Sequence, residues 1–264
     1  AEDGIRDLVR SRGLGDVYKR QAVPVESNSP FPATGGEIPW TYSHFSDPYI
    51  ALARASAVTS TIKLATGITL VPERNPLLLA KEISVLDLHS GGRFIFGIGT
   101  GWLKEETELM GGNFQRRWSQ TREALDVMKG CWTQEVFEYH GEFLDFPPIR
   151  SFPKPAQGPH PPIYIGGMAP KVLERIVAHA DGWLPNRITP QDLEAKRKEL
   201  DRLAMDAGRD PNSIGITIYG QPADKHLIQE LHDAGAERVI VRPDWVETDA
   251  EMCDQLERMA EAVL

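Results

Sequence analysis

The sequence predicts an α/β fold with a parallel sheet and helices packed outside it. Three observations carry this. From residue 47 onward one unit repeats: a short apolar run, a turn rich in glycine or proline, then a segment of helical character. The runs are apolar on both faces rather than alternating, as strands of a buried parallel sheet are. The chain's 264 residues are enough for one large core. Such units either close into a (β/α)8 barrel or spread as a doubly wound open sheet.

Asp47-Pro48 is an N-cap followed by proline at the first helical position, and opens a helix reaching about Ser60. IKLATGITLV (62–71) is the first strand. Asn75-Pro76 caps the next helix, PLLLAKEISVLDLH, which stops at Gly91-Gly92 before the strand RFIFGIG (93–99). A helix follows over 116–132. Residues 134–160 break the rhythm with VFEYHGEFLDFPPI and a proline-rich run, read as a hairpin-like insertion on the surface. The alternation then resumes with strand 161–167 and helix 170–180, strand 181–185 and helix 190–207, strand 214–220 and helix 223–234, and strand 237–243 and helix 248–263. That makes six strands, each followed by a helix. The chain enters midway through a unit, on the helix at 47–60, so closure into a barrel would require two further strands upstream.

Residues 1–21, AEDGIRDLVRSRGLGDVYKRQ, have no sustained periodicity and are dense in Arg, Asp and Gly. They resemble translated sequencing-adapter readthrough, as found at the ends of metagenomic reading frames. They are read as a non-native or disordered segment and set aside from fold reasoning. Residues 22–264 are read as a single domain with an insertion at about 134–160. A barrel lacking its first two strands is expected to be inactive and poorly stable, because its edges are unpaired.

The net charge of −9 argues against a nucleic-acid or anionic-membrane partner. No apolar run approaches the ~20 residues of a spanning helix. Cys131 and Cys253 are far apart and read as thiols rather than a disulfide, which suits the cytoplasm. No HxH, HxxxH or CxxC spacing occurs, so no metal site is expected, and neither a GxSxG elbow nor a P-loop is present. His44, His89, His140, His160 and His179 read as structural or surface residues. His89 lies in a helix's last turn, where an imidazolium suits the dipole, and His140 lies beside Gly141 at a turn.

Three short stretches invite a ligand. In HSGGRFIFGIGTGW (89–102), Gly97, Gly99 and Gly101 alternate through a strand exit that ends on Trp102, so a flat molecule could approach the backbone closely. Thr66-Gly67-Ile68 places a glycine inside a strand, the mark of a bulge or a close backbone approach. Gly166-Gly167-Met168 joins a strand to a helix start, where free N–H groups and the helix dipole favour phosphate.

The run from Asp47 to Pro185 resembles the bacterial-luciferase-like family, especially its branch using the deazaflavin coenzyme F420. The resemblance rests on DPYIALARASAVTSTIKLATGITLVPERNPLLLAKEISVLDLHSGGRFIFGIGTGWLKEE, then RWSQTREALDVMKGCWT, YHGEFLDF, KPAQGPHPPIYIGG and ADGWLP, in order and spacing. It implies a TIM barrel with its cofactor at the C-terminal ends of the strands. It also implies that Thr66, Gly67 and Ile68 back the cofactor ring across a cis Gly67–Ile68 peptide. Gly97, Gly99, Thr100, Gly101 and Trp102 would flank the ring, and Gly166, Gly167 and Met168 would hold the phosphate. Trp102 and Glu105 occupy family positions facing ring and substrate, which makes them the catalytic candidates. Some relatives carry an acid where Trp102 stands, so one proton donor is lost. In the family a histidine or acid near the end of the second strand often serves the ring, and that strand would lie upstream of Ala22. On its own, Glu105-Glu106 reads as a solvated helix start. Arg116 and Arg117 read as surface residues, with an acidic cofactor tail as the alternative.

The implied function is hydride transfer between coenzyme F420 and a small organic substrate. One alternative keeps the fold and uses reduced FMN with dioxygen as a monooxygenase. Another is a non-catalytic barrel that binds ligands, against which Gly97, Gly99 and Gly101 stand. A small molecule is the expected partner, and homodimers are common among such barrels.

Overall fold

The computed structural model describes residues 22–32 and 35–264. The reading of residues 1–21 lies outside them. The chain divides into two compact units, one ending at Pro161 and the other running from Pro162 to Leu264.

The first unit holds α1 (Pro48–Val58), β1 (Leu64–Ala65), β2 (Thr69–Leu70), α2 (Pro76–His89), β3 (Phe94–Gly99), α3 (Lys104–Leu109), α4 (Arg117–Thr133), β4 (Phe137–His140) and β5 (Asp145–Ile149). The two proline-started helices begin where the sequence places them. Asp47 Oδ1 accepts the N–H groups of Tyr49 and Ile50 at 2.9 and 3.1 Å. Asn75 Oδ1 accepts those of Leu77 and Leu78 at 3.0 and 3.2 Å.

The strand expected over 62–71 is two short arms on one parallel neighbour. Leu64 opposes Phe94 and Thr69 opposes Ile98. Five steps along the broken strand therefore match four along β3, and the surplus residue is absorbed at Thr66–Ile68. Leu64, Thr69 and Leu70 are buried and Ala65 is half-buried, so both arms carry apolar residues and the stretch reads as one continuous strand.

Arg93, nearly buried, fastens the other end of these strands. Its guanidinium donates to the carbonyls of Ser90 (2.6 Å), Ile62 (2.8 Å) and Thr59 (2.9 Å), and to Thr59 Oγ1 at 3.0 Å. It thereby supplies donors to carbonyls left open after α1 and α2. Phe94, Phe96, Leu79, Ile83 and Met128 form the core between β3, α2 and α4. Trp132 closes it, donating Nε1–H to the Ala80 carbonyl at 3.0 Å.

Within 134–160 the chain forms an antiparallel hairpin, with Phe137 opposite Ile149 and Tyr139 opposite Phe146. Its turn is held to α4 by Glu123, whose carboxylate accepts the N–H groups of Glu142, Phe143 and Leu144 at 3.1, 2.8 and 2.7 Å. The proline-rich end is tied down by Gln157, which donates to Asp87 Oδ1 at 2.6 Å and to the Phe94 carbonyl at 2.8 Å.

The second unit runs β6 (Ile163–Gly166), α5 (Val172–His179), β7 (Gly182–Leu184), α6 (Pro190–Asp206), β8 (Gly215–Gln221), α7 (Lys225–Asp233), β9 (Arg238–Val241) and α8 (Asp249–Val263). Its strands pair in parallel in chain order: Tyr164 with Gly182, Gly182 with Gly215, Thr217 with Arg238. Helix α5 starts at Val172 instead of residue 170, because the Val172 N–H closes a turn onto the Ala169 carbonyl at 2.9 Å. Ile163, Ile176, Trp183, Leu193 and Ile218 fill this unit's core. Among the described residues, no helix is long and apolar enough to cross a membrane.

Candidate functional site

In the first unit the candidate residues gather at the C-terminal end of β3. The Gly67–Ile68 peptide is cis. Gly67 is half-buried, whereas Thr66, Ile68 and Thr69 beside it are buried. Thr66 Oγ1 donates to the Gly97 carbonyl at 2.8 Å. A Cβ at Gly97 would lie 1.9 Å from the Thr66 carbonyl oxygen, and one at Gly99 would lie 2.0 Å from Ile68 Cδ1. The space freed by these two glycines is thus occupied by the bulge of the neighbouring strand. From the sequence alone, that space suits a flat ligand. The glycines instead seat the bulge, and the bulge presents the Gly67 backbone.

Gly101 is different. Its φ of +81° lies in the left-handed region, and a Cβ there would meet Thr107 Oγ1 at 3.0 Å and Glu73 Oε1 at 3.2 Å. Thr107 donates to Glu73 at 2.9 Å, so the loop after β3 folds over a buried carboxylate. Behind β2, Tyr49 Oη shares a hydrogen bond of 2.8 Å with Thr69 Oγ1, and Arg74 lies 4.9 Å from the Tyr49 ring centroid. Burial pushes the Tyr49 phenol well above its usual range, so it stays protonated.

Trp102, half-exposed, meets Phe31 edge-on with centroids 5.8 Å apart. Glu105 and Glu106 part company. Glu106 is fully buried, which corrects the reading of the pair as a solvated helix start. Glu105 reaches across to the segment before α1. Its carboxylate accepts from Ser29 Oγ at 2.7 Å, the Asn28 N–H at 2.8 Å and Ser27 Oγ at 3.3 Å. These bonds, the Ser29 hydroxyl foremost, lower its carboxyl to about 2. A carboxylate so held is an acceptor at neutral pH and no proton donor, so Glu105 fits an anchoring role better than a catalytic one.

In the second unit, Gly167 has φ of +100°, and a Cβ there would meet nothing within 4 Å. Its N–H donates to the Leu184 carbonyl at 3.2 Å, and its own carbonyl accepts from Trp183 Nε1 at 2.9 Å. One of the amides expected to serve a phosphate is therefore used between strands. Among the described residues, the amides of exposed Met168 and of Ala169 have no protein acceptor.

The remaining candidates serve structure. Arg116 pairs with Glu142, and Arg117 donates to the Phe114 carbonyl at 2.7 Å. His140 is the last residue of β4, beside the turn that begins at Gly141, and is paired with Asp145 across the hairpin. His44 contacts the Trp40 carbonyl and His160 that of Pro161, while His89 and His179 end α2 and α5. Cys131 is buried, which raises its thiol, and neither it nor Cys253 forms a disulfide. Among the described residues, no group of three or more His, Cys, Asp or Glu side chains could hold a metal ion.

Glu73, Thr107, Ser27, Ser29, Phe31 and Tyr42 were not singled out from the sequence. For Glu73 a signal exists, an acid directly after the apolar run ending LVP. For Ser27 and Ser29 none does, since their partner lies more than seventy residues away.

Parallel strands joined by helices, with the candidate residues at strand ends, define an α/β protein of the class that includes the TIM barrels. Residues 35–251 match the luciferase-like monooxygenase family, and the chain belongs to it. An uncharacterized protein of Mycobacterium tuberculosis is 39% identical over 224 residues, covering 81% of this chain and 78% of that protein. A 5,10-methylenetetrahydromethanopterin reductase of Methanolobus tindarius is 32% identical over 183 residues, covering 68% and 55%. An FMNH2-dependent dimethylsulfone monooxygenase of Pseudomonas putida is 26% identical over 218 residues, covering 80% and 59%. Among solved structures, the coenzyme F420-dependent tetrahydromethanopterin reductase of Methanopyrus kandleri superposes with a TM-score of 0.60 at 28% identity, covering 70% of this chain and 58% of the reductase. The fold is that of the luciferase-like barrels, and the family is one of oxidoreductases and monooxygenases.

Proposed function

We propose that the chain takes part in hydride transfer between coenzyme F420 and a small organic substrate. The observation that carries this is the Thr66–Ile68 bulge, a side-chain-free backbone surface at Gly67 seated on Gly97 and Gly99. Support for coenzyme F420 over FMN comes from the Methanopyrus structure, 28% identical and named for that coenzyme.

The residues present fit such a group. Half-buried Gly67 brings no side chain to its strand end, and the open side of Gly167, with the amides of Met168 and Ala169, suits a phosphate. When bound, the coenzyme supplies a hydride-carrying deazaflavin ring. The first unit's part is to back that ring with Thr66–Ile68 and to flank it with Gly97–Trp102, and in the second unit the Gly166–Met168 turn is the candidate for the phosphate.

An absorbance titration with coenzyme F420, and in parallel with FMN, tests this. Binding of coenzyme F420 at micromolar concentration is expected. Tight FMN binding with none of coenzyme F420 overturns the reading. That result would favour a monooxygenase using reduced flavin and dioxygen, for which the Pseudomonas putida relative is the supporting observation.

A further inference from the structure

Among the described residues, Arg187 is the one non-glycine residue with a left-handed backbone, its φ at +48°. For a long side chain that conformation is costly and persists only where the surrounding structure imposes it. The imposing contacts lie at the C-terminal ends of β7 and β8. The Arg187 N–H donates to the Tyr219 carbonyl at 3.1 Å, and the Tyr219 N–H donates to the Pro185 carbonyl at 2.9 Å. Gly220 is itself left-handed, at φ +80°. A Cβ there would meet Asn186 Oδ1 at 2.9 Å and stand 3.7 Å from Arg187 Cγ and 3.9 Å from its Nε. The arginine stem therefore lies against the end of β8.

No contact of the side chain repays this placement. Arg187 is exposed, and among the described residues its guanidinium has no partner. By contrast, Arg197, Arg202, Arg209 and Arg238 of the same unit each pair with a carboxylate. Arg242 is exposed and, among the described residues, equally unpartnered. It follows β9, the other neighbour of β8, and its N–H donates to the Gln221 carbonyl at 2.9 Å. Two open cations thus flank β8 at the strand end where α/β proteins bind ligands.

The neighbouring helix starts decide which anion suits them. The Asp192 N–H donates to Thr189 Oγ1 at 3.1 Å, and the His226 and Leu227 N–H groups donate to Asp224 Oδ1 at 2.9 and 3.1 Å. The amides that would hold a phosphate are therefore given to the caps of α6 and α7, and an acid stands at each start. A guanidinium needs no amides to hold a carboxylate, because its planar fork makes two parallel N–H bonds to it.

We infer that Arg187, supported by Arg242 from the far side of β8, binds an acyclic molecule carrying two or more carboxylates. That chemistry is shared by an acidic substrate and by the glutamate tail of coenzyme F420. The site goes beyond the phosphate turn after β6, and its main test needs no coenzyme.

The test uses the whole chain with isotope-labelled arginine, the Arg187 Nε–Hε resonance being assigned by R187Q. Tricarballylate is expected to move that resonance and to bind about fivefold more tightly than acetate or inorganic phosphate, or better. R187Q keeps the strained backbone and loses the charge, so it should weaken tricarballylate about tenfold, and R242Q should weaken it about threefold. R187G should weaken it as much as R187Q while melting about 2–4 °C higher, because glycine accepts the left-handed backbone freely. The inference is overturned if tricarballylate leaves Arg187 unmoved, if R187Q binds it like the parent, or if phosphate binds as tightly. An R187G chain that melts no higher overturns it too, since the strain would then be absent. Titrating the parent and R187Q with coenzyme F420 and with its glutamate-free form separates the two sources. A loss confined to the glutamate-bearing form assigns the coenzyme tail, and no loss for either form assigns a substrate. Failure of both forms to bind the parent strikes the cofactor reading alone.

Discussion

Thr66 and Gly97 lock to each other in both directions. The Thr66 hydroxyl donates to the Gly97 carbonyl at 2.8 Å, and a side chain on Gly97 would fall 1.9 Å from the Thr66 carbonyl oxygen. The bulge exists only against a strand that lacks a Cβ at that point. Gly97→Ala meets backbone, which cannot rotate away, whereas Gly99→Ala meets the terminal carbon of Ile68, which can. G97A should therefore cost about 3 kcal/mol or more and G99A about 1 kcal/mol, within the overpacking range. Urea melts of both variants check the order, and equal losses would mean that the bulge yields as easily as a side chain.

Asp47 performs two tasks that substitution can separate. It caps α1, and its Oδ2 accepts from Arg74 at 2.7 Å. Burial alone would raise its carboxyl, but the Arg74 hydrogen bond, the two N–H donors and the Arg74 charge outweigh burial and lower it. D47N keeps a capping oxygen and loses the charge, while D47A loses both. D47A should destabilise by about 2 kcal/mol and D47N by about half that. Thermal melts at neutral pH compare them, and equal losses would assign the whole effect to the ion pair.

Much of the fold was legible in the sequence because its signals are local. Asp47-Pro48 and Asn75-Pro76 mark helix starts within three residues, and the strand RFIFGIG announces its burial in its own composition. The hairpin within 134–160 showed through its turn at Gly141. What stayed hidden depends on partners distant in sequence. The run at 62–71 reads as one strand because both arms are apolar in sequence, and only the pairing with β3 exposes the surplus residue. Gly97 and Gly99 signal that room is needed, not which atoms fill it. Glu105 and Glu106 look alike in sequence, yet one faces Ser29 and the other the core.

The anchoring of Ser27–Ser29 should depend on acid. Glu105 sits at about 2 in the folded chain against a usual 4.5. A lowered carboxyl stabilises the folded arrangement above its unfolded value, and that contribution fades as pH falls from 4.5 towards 2. With the chain labelled with 5-fluorotryptophan, the fluorine resonance of Trp102 should move through that window in the parent and stay flat there in E105Q. The other tryptophan resonances separate this local release from general acid unfolding. An identical Trp102 titration in E105Q would place the sensing group elsewhere.

The Gly166–Met168 turn can be tested whichever cofactor is resident. Gly167→Ala enters open space, so its direct effect is the strain of a left-handed alanine, about 1 kcal/mol, which twists the amides of Met168 and Ala169. If those amides hold a phosphate, G167A should weaken a ligand that carries one and spare its phosphate-free counterpart. The pairs to titrate are coenzyme F420 against its deazaflavin ribityl fragment, and FMN against riboflavin. A loss of about tenfold for the phosphorylated member alone is expected, matching one or two charge-assisted hydrogen bonds. Equal weakening of both members would reduce the turn to a support for β6 and α5. No weakening of either would move the phosphate to another strand end, since the Gly167 N–H itself is already given to Leu184.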